Sequence, residues 1–288
     1  MMTSADPAQA GISRYLNIDG LRFHYVTWGK EGAPVLLCLH GLRSYGRTFQ
    51  PLAASLSQDF QVLALDQRGR GETDWDPAGQ YYTRRYAEDM EKFVELLELE
   101  SLHMLGHSMG GINALVYSLA NGRRLRSLIL EDCGPGASRN SPGATRIDAE
   151  LRGTPTTFPD WDAARRFWRS IRPDVTEAAI DSRVAHSMRE TAAGIGWIHD
   201  QAGIAAARLA PAEPMPDLWP CVEQLHCPTL LLRGSKSDYL SQETLVRMRK
   251  ANHHIEGVEI EGAGHYIHDD QPERFNAAVG GFLHQNAG

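Results

Sequence analysis

Short apolar runs punctuate the chain at residues 34–39, 62–65, 101–105, 128–130 and 228–234. Each is too short for a helix and ends in Gly, Asp, Glu or His, so each reads as a strand buried on both faces. Between the runs the period changes. Phe49, Leu52, Ala53 and Leu56, then Tyr86, Met90, Phe93, Val94 and Leu97, then the apolar residues of 112–120, and finally Phe275, Val279, Phe282 and Leu283 recur at helical spacing. Asn121-Gly122 stops the third of these helices, and Pro272 suits the first turn of the last. Strand alternating with helix predicts an α/β fold built on a mostly parallel sheet.

Two regions break the rhythm. Residues 15–18 and 21–28 are strand-like on either side of Asp19-Gly20, which predicts an antiparallel hairpin at the start. From 134 to 218 strand runs vanish, and helix-like segments carry Trp161, Phe167, Trp168, Trp197 and many alanines. A stretch that long needs structure of its own and reads as a helical cap inserted into a core domain of residues 1–133 and 219–288.

Composition narrows the class. With 288 residues, 42% of them hydrophobic and 23% charged, the chain is long enough for one large domain plus the insertion. A net charge of −7, a pI near 5.9 and the lack of a long basic run argue against nucleic-acid or anionic-membrane partners. The expected partner is a small molecule, and the expected assembly a monomer or homodimer. Residues 1–11 lack a basic start and an apolar core, and no later segment approaches a membrane span, so a cytoplasmic location is expected. Cys38, Cys133, Cys221 and Cys227 lack CxxC spacing and read as buried free thiols, with no metal site implied.

The candidate chemistry lies where strands end. In Leu105-Gly106-His107-Ser108-Met109-Gly110-Gly111 an apolar run meets a glycine-flanked serine and then a helix, placing Ser108 on a sharp turn. Side chains at 106 and 110 would collide with neighbouring chain, and the helix N-terminus favours negative charge at the same spot. A serine nucleophile needs a base. His265, in the glycine-rich loop 262–266 after the last strand, stands on the same sheet edge. The base needs a carboxylate, for which Asp238, in the loop after 228–234, is the preferred reading, with Asp132 or Glu131 as the competitor. Backbone N–H groups of Leu42 and Met109 are the candidate oxyanion donors. His40 and His107 read as loop supports, and His268 as a cap residue or substrate-side neighbour. Trp161, Trp168 and Trp197 line a substrate pocket or fill the cap's own core. Arg43, directly after the oxyanion loop, meets a substrate carboxylate or makes a structural ion pair. The stretch 66–71, Asp-Gln-Arg-Gly-Arg-Gly, is not a dinucleotide fingerprint, because Asp74 stands where a third glycine is required.

Together these motifs resemble the α/β-hydrolase superfamily over essentially the whole chain. The resemblance rests on His40-Gly41, Asp66-x-Arg68-Gly69-x-Gly71, Gly106-x-Ser108-x-Gly110, Gly234-x-x-Ser237-Asp238 and Gly264-His265. One departure is Thr73, where family members often carry Ser. The resemblance implies an eight-stranded, mostly parallel sheet, a cap after the sixth strand and no cofactor. Ser rather than Asp at 108 disfavours the haloalkane dehalogenase and epoxide hydrolase branches. What remains is hydrolysis of a small carboxylic ester or lactone, with amide or carbon–carbon hydrolysis, perhydrolysis, or a ligand receptor on the same fold as alternatives.

Overall fold

A computed structural model describes residues 11–137, 141–173 and 175–287. Nearly all of the N-terminal stretch on which the location was argued lies outside the described residues. The hairpin is present as β1 (Ile12–Ile18) and β2 (Leu21–Trp28), with Asp19 and Gly20 both at positive φ in the turn. Next come β3 (Val35–Leu39), α1 (Gln50–Leu56), β4 (Gln61–Leu65), α2 (Thr83–Leu96), β5 (Leu102–His107), α3 (Met109–Asn121) and β6 (Leu125–Glu131).

The chain between β6 and β10 holds α4 (Pro142–Gly153), β7 (Thr157–Phe158), α5 (Trp161–Ile171), α6 (Glu177–Ser187), β8 (Met188–Thr191), β9 (Gly194–Trp197), α7 (Gln201–Leu209) and α8 (Trp219–Glu223). The alternation then resumes with β10 (Thr229–Gly234), α9 (Gln242–Ala251), β11 (Ile255–Ile260), α10 (Ile267–Asp270) and α11 (Pro272–Gln285).

Eight strands form one sheet in the order β1-β2-β4-β3-β5-β6-β10-β11. The pairs β1/β2 and β2/β4 are antiparallel, and every pair from β4 to β11 is parallel. Alternate residues of each central strand feed opposite faces, as the pleat requires. Leu37, Leu39, Met104, Leu128 and Leu130 pack with Met90, Phe93, Ile112 and Leu115 of α2 and α3. Leu36, Cys38, Leu105, Ile129 and Leu232 pack with Leu52, Leu56, Phe275 and Val279 of α1 and α11. Both faces are therefore apolar, which is why the strands read as continuous runs. All four cysteines are buried and free.

The inserted region is not wholly helical. Three short strands form a second, antiparallel sheet in the order β7-β9-β8. Its core is separate from the main one: Phe158, Trp168, Ile180, Met188, Ile195 and Trp197 pack together.

Candidate active site

The parallel strands end along one edge, and three of those ends converge. Between β5 and α3 the backbone turns at Ser108, which adopts φ 52° and ψ −114°. That is a strained conformation for a residue with a side chain, held by close packing on both sides. A Cβ on Gly106 would lie 2.5 Å from the Gly111 backbone, and one on Gly110 would lie 2.2 Å from the Leu39 carbonyl oxygen. Neither position has room for a side chain.

Ser108 Oγ lies 2.9 Å from His265 Nε2, and the His265 Nδ1–H donates to Asp132 Oδ2 at 2.7 Å. With its Nδ1 proton held by Asp132, the ring presents Nε2 to the serine as an acceptor. Burial, with Arg146 and Arg172 adding to it, drives the imidazole far below its ordinary range, to about 3, so the ring is neutral at rest. The Asp132 carboxyl is pushed up by burial, and donors from Ser237 Oγ at 2.6 Å and Gly234 N at 3.3 Å pull against that. A neutral acceptor on the hydroxyl, backed by a carboxylate, can take a proton from Ser108 and return it to a leaving group.

The partner of His265 differs from the preferred sequence reading. Asp132 stands at the end of β6, and its own N–H donates to Leu232 O at 2.8 Å, which locks it beside β10. Asp238, four residues beyond the end of β10, turns toward the inserted region and binds Arg146 Nε at 2.8 Å and Nη2 at 3.0 Å. That guanidinium holds its carboxyl below the usual range. The motif residue that does serve the site is Ser237, which sequence reasoning missed as a donor to Asp132.

Backbone donors surround the serine. Met109 opens α3, so its N–H is among the first-turn groups without an intrahelical acceptor. The N–H of Leu42 has no backbone acceptor among the described residues. The neighbouring histidines are engaged elsewhere. His40 Nδ1–H donates to Gly41 O at 2.8 Å and Nε2 accepts from Gln67 N at 3.1 Å. His107 Nε2–H donates to His265 O at 2.9 Å, holding the loop of the base. His268 Nδ1–H donates to Glu131 Oε1 at 2.7 Å, and its Nε2 pairs with the Thr48 hydroxyl at 3.0 Å. His107, Glu131 and His268 bring metal-ligand atoms within 4.8 Å of one another. The ligand atoms of His268 and one Glu131 oxygen are already hydrogen-bonded, so the cluster reads as a buried brace.

A cavity of about 840 Å³ opens above Ser108. Its wall combines Leu42, Tyr86, Met109 and Ile112 of the sheet side with Ile147, Ile204 and residues 211–216 of the inserted region. Sequence reasoning missed Ile147 and Ile204 because nothing in a lone aliphatic residue marks it as pocket lining. The expected pocket residues are elsewhere. Trp168 and Trp197 lie edge to face, 5.7 Å between centroids, inside the insertion's own core. Trp161 is exposed, and its Nε1 points to Glu190 at 3.4 Å. Arg43 is buried and paired with Glu150, with Thr154 Oγ1 at 3.1 Å, the structural ion pair of the two readings. The Asp66 motif also turns inward. Asp66 Oδ1 accepts from Gly46 N at 2.6 Å, Oδ2 from His24 Nδ1 at 2.7 Å, and the Thr73 hydroxyl donates to Asp66 O at 2.6 Å. Threonine thus makes a bond that a serine hydroxyl could make.

Comparison with known proteins agrees with this architecture. The alpha/beta hydrolase fold family profile matches residues 34–272. The chain is 30% identical to the 3-hydroxybutyrate-oligomer hydrolase of Cupriavidus necator, covering 91% of this chain and 93% of that one. It is 26% identical to the esterase Rv0045c of Mycobacterium tuberculosis, over 89% of this chain and 84% of the other. Among solved structures, E-2-(acetamidomethylene)succinate hydrolase superposes with a TM-score of 0.85 at 25% identity, over 95% of this chain and 99% of that one. A profile spanning most of the sequence and a sheet of the same kind lead to one conclusion: the chain belongs to the α/β-hydrolase family.

Proposed function

We propose that this protein hydrolyses a small carboxylic ester or lactone through an acyl-enzyme on Ser108. The observation that carries the reading is the hydrogen-bonded line from Ser108, on the wall of the cavity, through His265 to Asp132. His265 Nε2 takes the hydroxyl proton as Oγ attacks the carbonyl carbon, and Asp132 stabilises the imidazolium that forms. The tetrahedral oxyanion sits against the N–H groups of Leu42 and Met109, each worth about 3 kcal/mol where such donors have been removed. The imidazolium then protonates the leaving alkoxide, and water repeats the sequence on the acyl-enzyme. The inserted region between β6 and β10 serves as the cap, since its residues form the outer wall of the cavity. Relatives named as an oligomer hydrolase and an esterase support the ester reading.

Rapid mixing with p-nitrophenyl butyrate is expected to release a burst of p-nitrophenolate stoichiometric with enzyme, followed by slower turnover, and His265→Ala is expected to abolish the burst. Inert short esters and lactones, with cleavage of a vinylogous diketone, would move the reaction to carbon–carbon hydrolysis. The pH profile follows from burial. Only neutral His265 accepts the proton, and desolvation disfavours the charged ring, so kcat/KM is expected to hold as pH falls through 6.5 and to decline only below it. An acid limb at or above 6.5 in a kcat/KM titration would contradict the buried, neutral base.

A further inference from the structure

The cavity wall contains a buried cation without a counter-ion. Arg70, in the turn after β4, is 1% exposed and lines the same cavity as Ser108. Its Nε donates to Leu42 O at 2.8 Å, and its Nη1 donates to Arg68 O at 2.9 Å and to the Tyr86 hydroxyl at 2.5 Å. Those three acceptors are neutral and use three of the guanidinium's five N–H groups. The two on Nη2 have no acceptor among the described residues, and no carboxylate there reaches ion-pair distance.

The chain treats its other buried arginines differently. Arg43 pairs with Glu150, Arg68 with Asp76 and Asp89, Arg172 with Glu150 at 3.7 Å, and Arg183 with Asp269. Arg84 and Arg208, also on the cavity wall, pair with Glu88 and Asp148. The nearby Asp200 is occupied by the Tyr81 hydroxyl at 2.9 Å, and Glu213 of the cavity wall is exposed to solvent. The guanidinium also lies over the Tyr81 and Tyr86 rings, 5.9 and 5.1 Å from their centroids, but a ring face is not a counter-ion. A buried charge without a counter-ion is costly, so a site that keeps one is organised for an anion that arrives with the ligand. A second donor stands beside it. The Tyr86 hydroxyl accepts from Arg70, and its own proton has no acceptor among the described residues, although the side chain also lines the cavity.

We propose that Arg70, with Tyr86, binds a carboxylate of the substrate. Arg70 grips the carbonyl of Leu42, whose N–H faces the oxyanion, so the charged group lies only a few atoms from the scissile carbonyl. The substrate class is therefore the half-ester of a short dicarboxylic acid or the ester of a short hydroxy acid that keeps a free carboxylate. This assignment rests on Ser108 as the nucleophile.

Its test compares monoethyl succinate with ethyl pentanoate, a neutral ester of similar length, by kcat/KM from acid release. Charged hydrogen bonds from Nη2 and Tyr86 predict a preference of about 100-fold for the half-ester in the native protein. Arg70→Gln is expected to bring the ratio of the two constants close to one, whatever it does to the absolute rates, and Arg70→Lys to retain part of it. A native preference for the neutral ester, or an unchanged ratio in Arg70→Gln, overturns the proposal. Because Arg70→Gln also removes bonds that hold the Leu42 loop, calorimetric titration of the Ser108→Ala protein with succinate and with neutral succinamide supplies a measurement that needs no Arg70 variant and no turnover. Succinate alone is expected to bind. Equal binding of both, or of neither, overturns the carboxylate site, whereas selective succinate binding by Ser108→Ala together with a native protein that cleaves neither ester overturns the Ser108 reading and leaves Arg70 in place.

Discussion

Ser108→Ala is expected to lower kcat/KM on a short ester by at least about 10⁴-fold, the scale seen when a serine nucleophile is removed from an intact relay. The fold is expected to persist. The Ser108 hydroxyl makes side-chain bonds with His265 and Tyr239, and the turn is held by the close contacts of Gly106 and Gly110 rather than by the hydroxyl. Alanine accepts the same φ of 52° no more readily than serine, so thermal unfolding is expected to stay within a few degrees of the native protein. Mass spectrometry after a phosphonate inhibitor checks the same point from the other side, with a single adduct expected on the peptide containing Ser108 and none in Ser108→Ala. An adduct on another serine, or substantial activity in the alanine protein, would remove Ser108 from the mechanism.

The sheet was legible because its central strands are covered on both faces, which forces runs such as 35–39 and 128–130 to be apolar throughout. The serine turn was legible because its glycines answer steric demands within a few residues of each other. The small sheet of the insertion was not. Its strand β7 has two residues, β8 reads Met-Arg-Glu-Thr with only Met188 buried, and β9 alternates glycine with large apolar residues over only four positions, too few for a period of two to stand out. Asp238 was misjudged, and the reading of Arg43 stayed open between two roles, for a shared reason. Each sits at a strand end on the catalytic edge, and each is drawn off by a residue of α4, Glu150 and Arg146, about a hundred positions away in sequence. Position along a strand can nominate a carboxylate or a guanidinium, but only the packed insertion decides which one is spent on an ion pair. Arg70 is the converse case: its motif was set aside as no dinucleotide fingerprint, and the missing counter-ion emerges only after every nearby carboxylate has been placed.

The sharpest consequence concerns the two aspartates. Asp132→Asn is expected to lower kcat/KM by about 10³- to 10⁴-fold, whereas Asp238→Asn is expected to cost less than about 10-fold. An asparagine at 132 can turn its amide N–H₂ toward His265 Nδ1, which stabilises the tautomer with the proton on Nε2, and that tautomer cannot accept the proton of Ser108. The imidazolium formed during attack also loses its only carboxylate hydrogen-bond partner. At 238 the substitution breaks a half-exposed ion pair with Arg146, and surface pairs of that kind are worth about 1 kcal/mol or less. Arg146 keeps Glu150 at 2.7 Å, and both ring nitrogens of His265 keep their partners. Steady-state kinetics of the two variants on one ester, with circular dichroism to establish folding, decides between the carboxylates. The opposite ranking would return the acid to the loop after β10 and would mean that the 2.7 Å contact between Asp132 and His265 does not persist in the working enzyme.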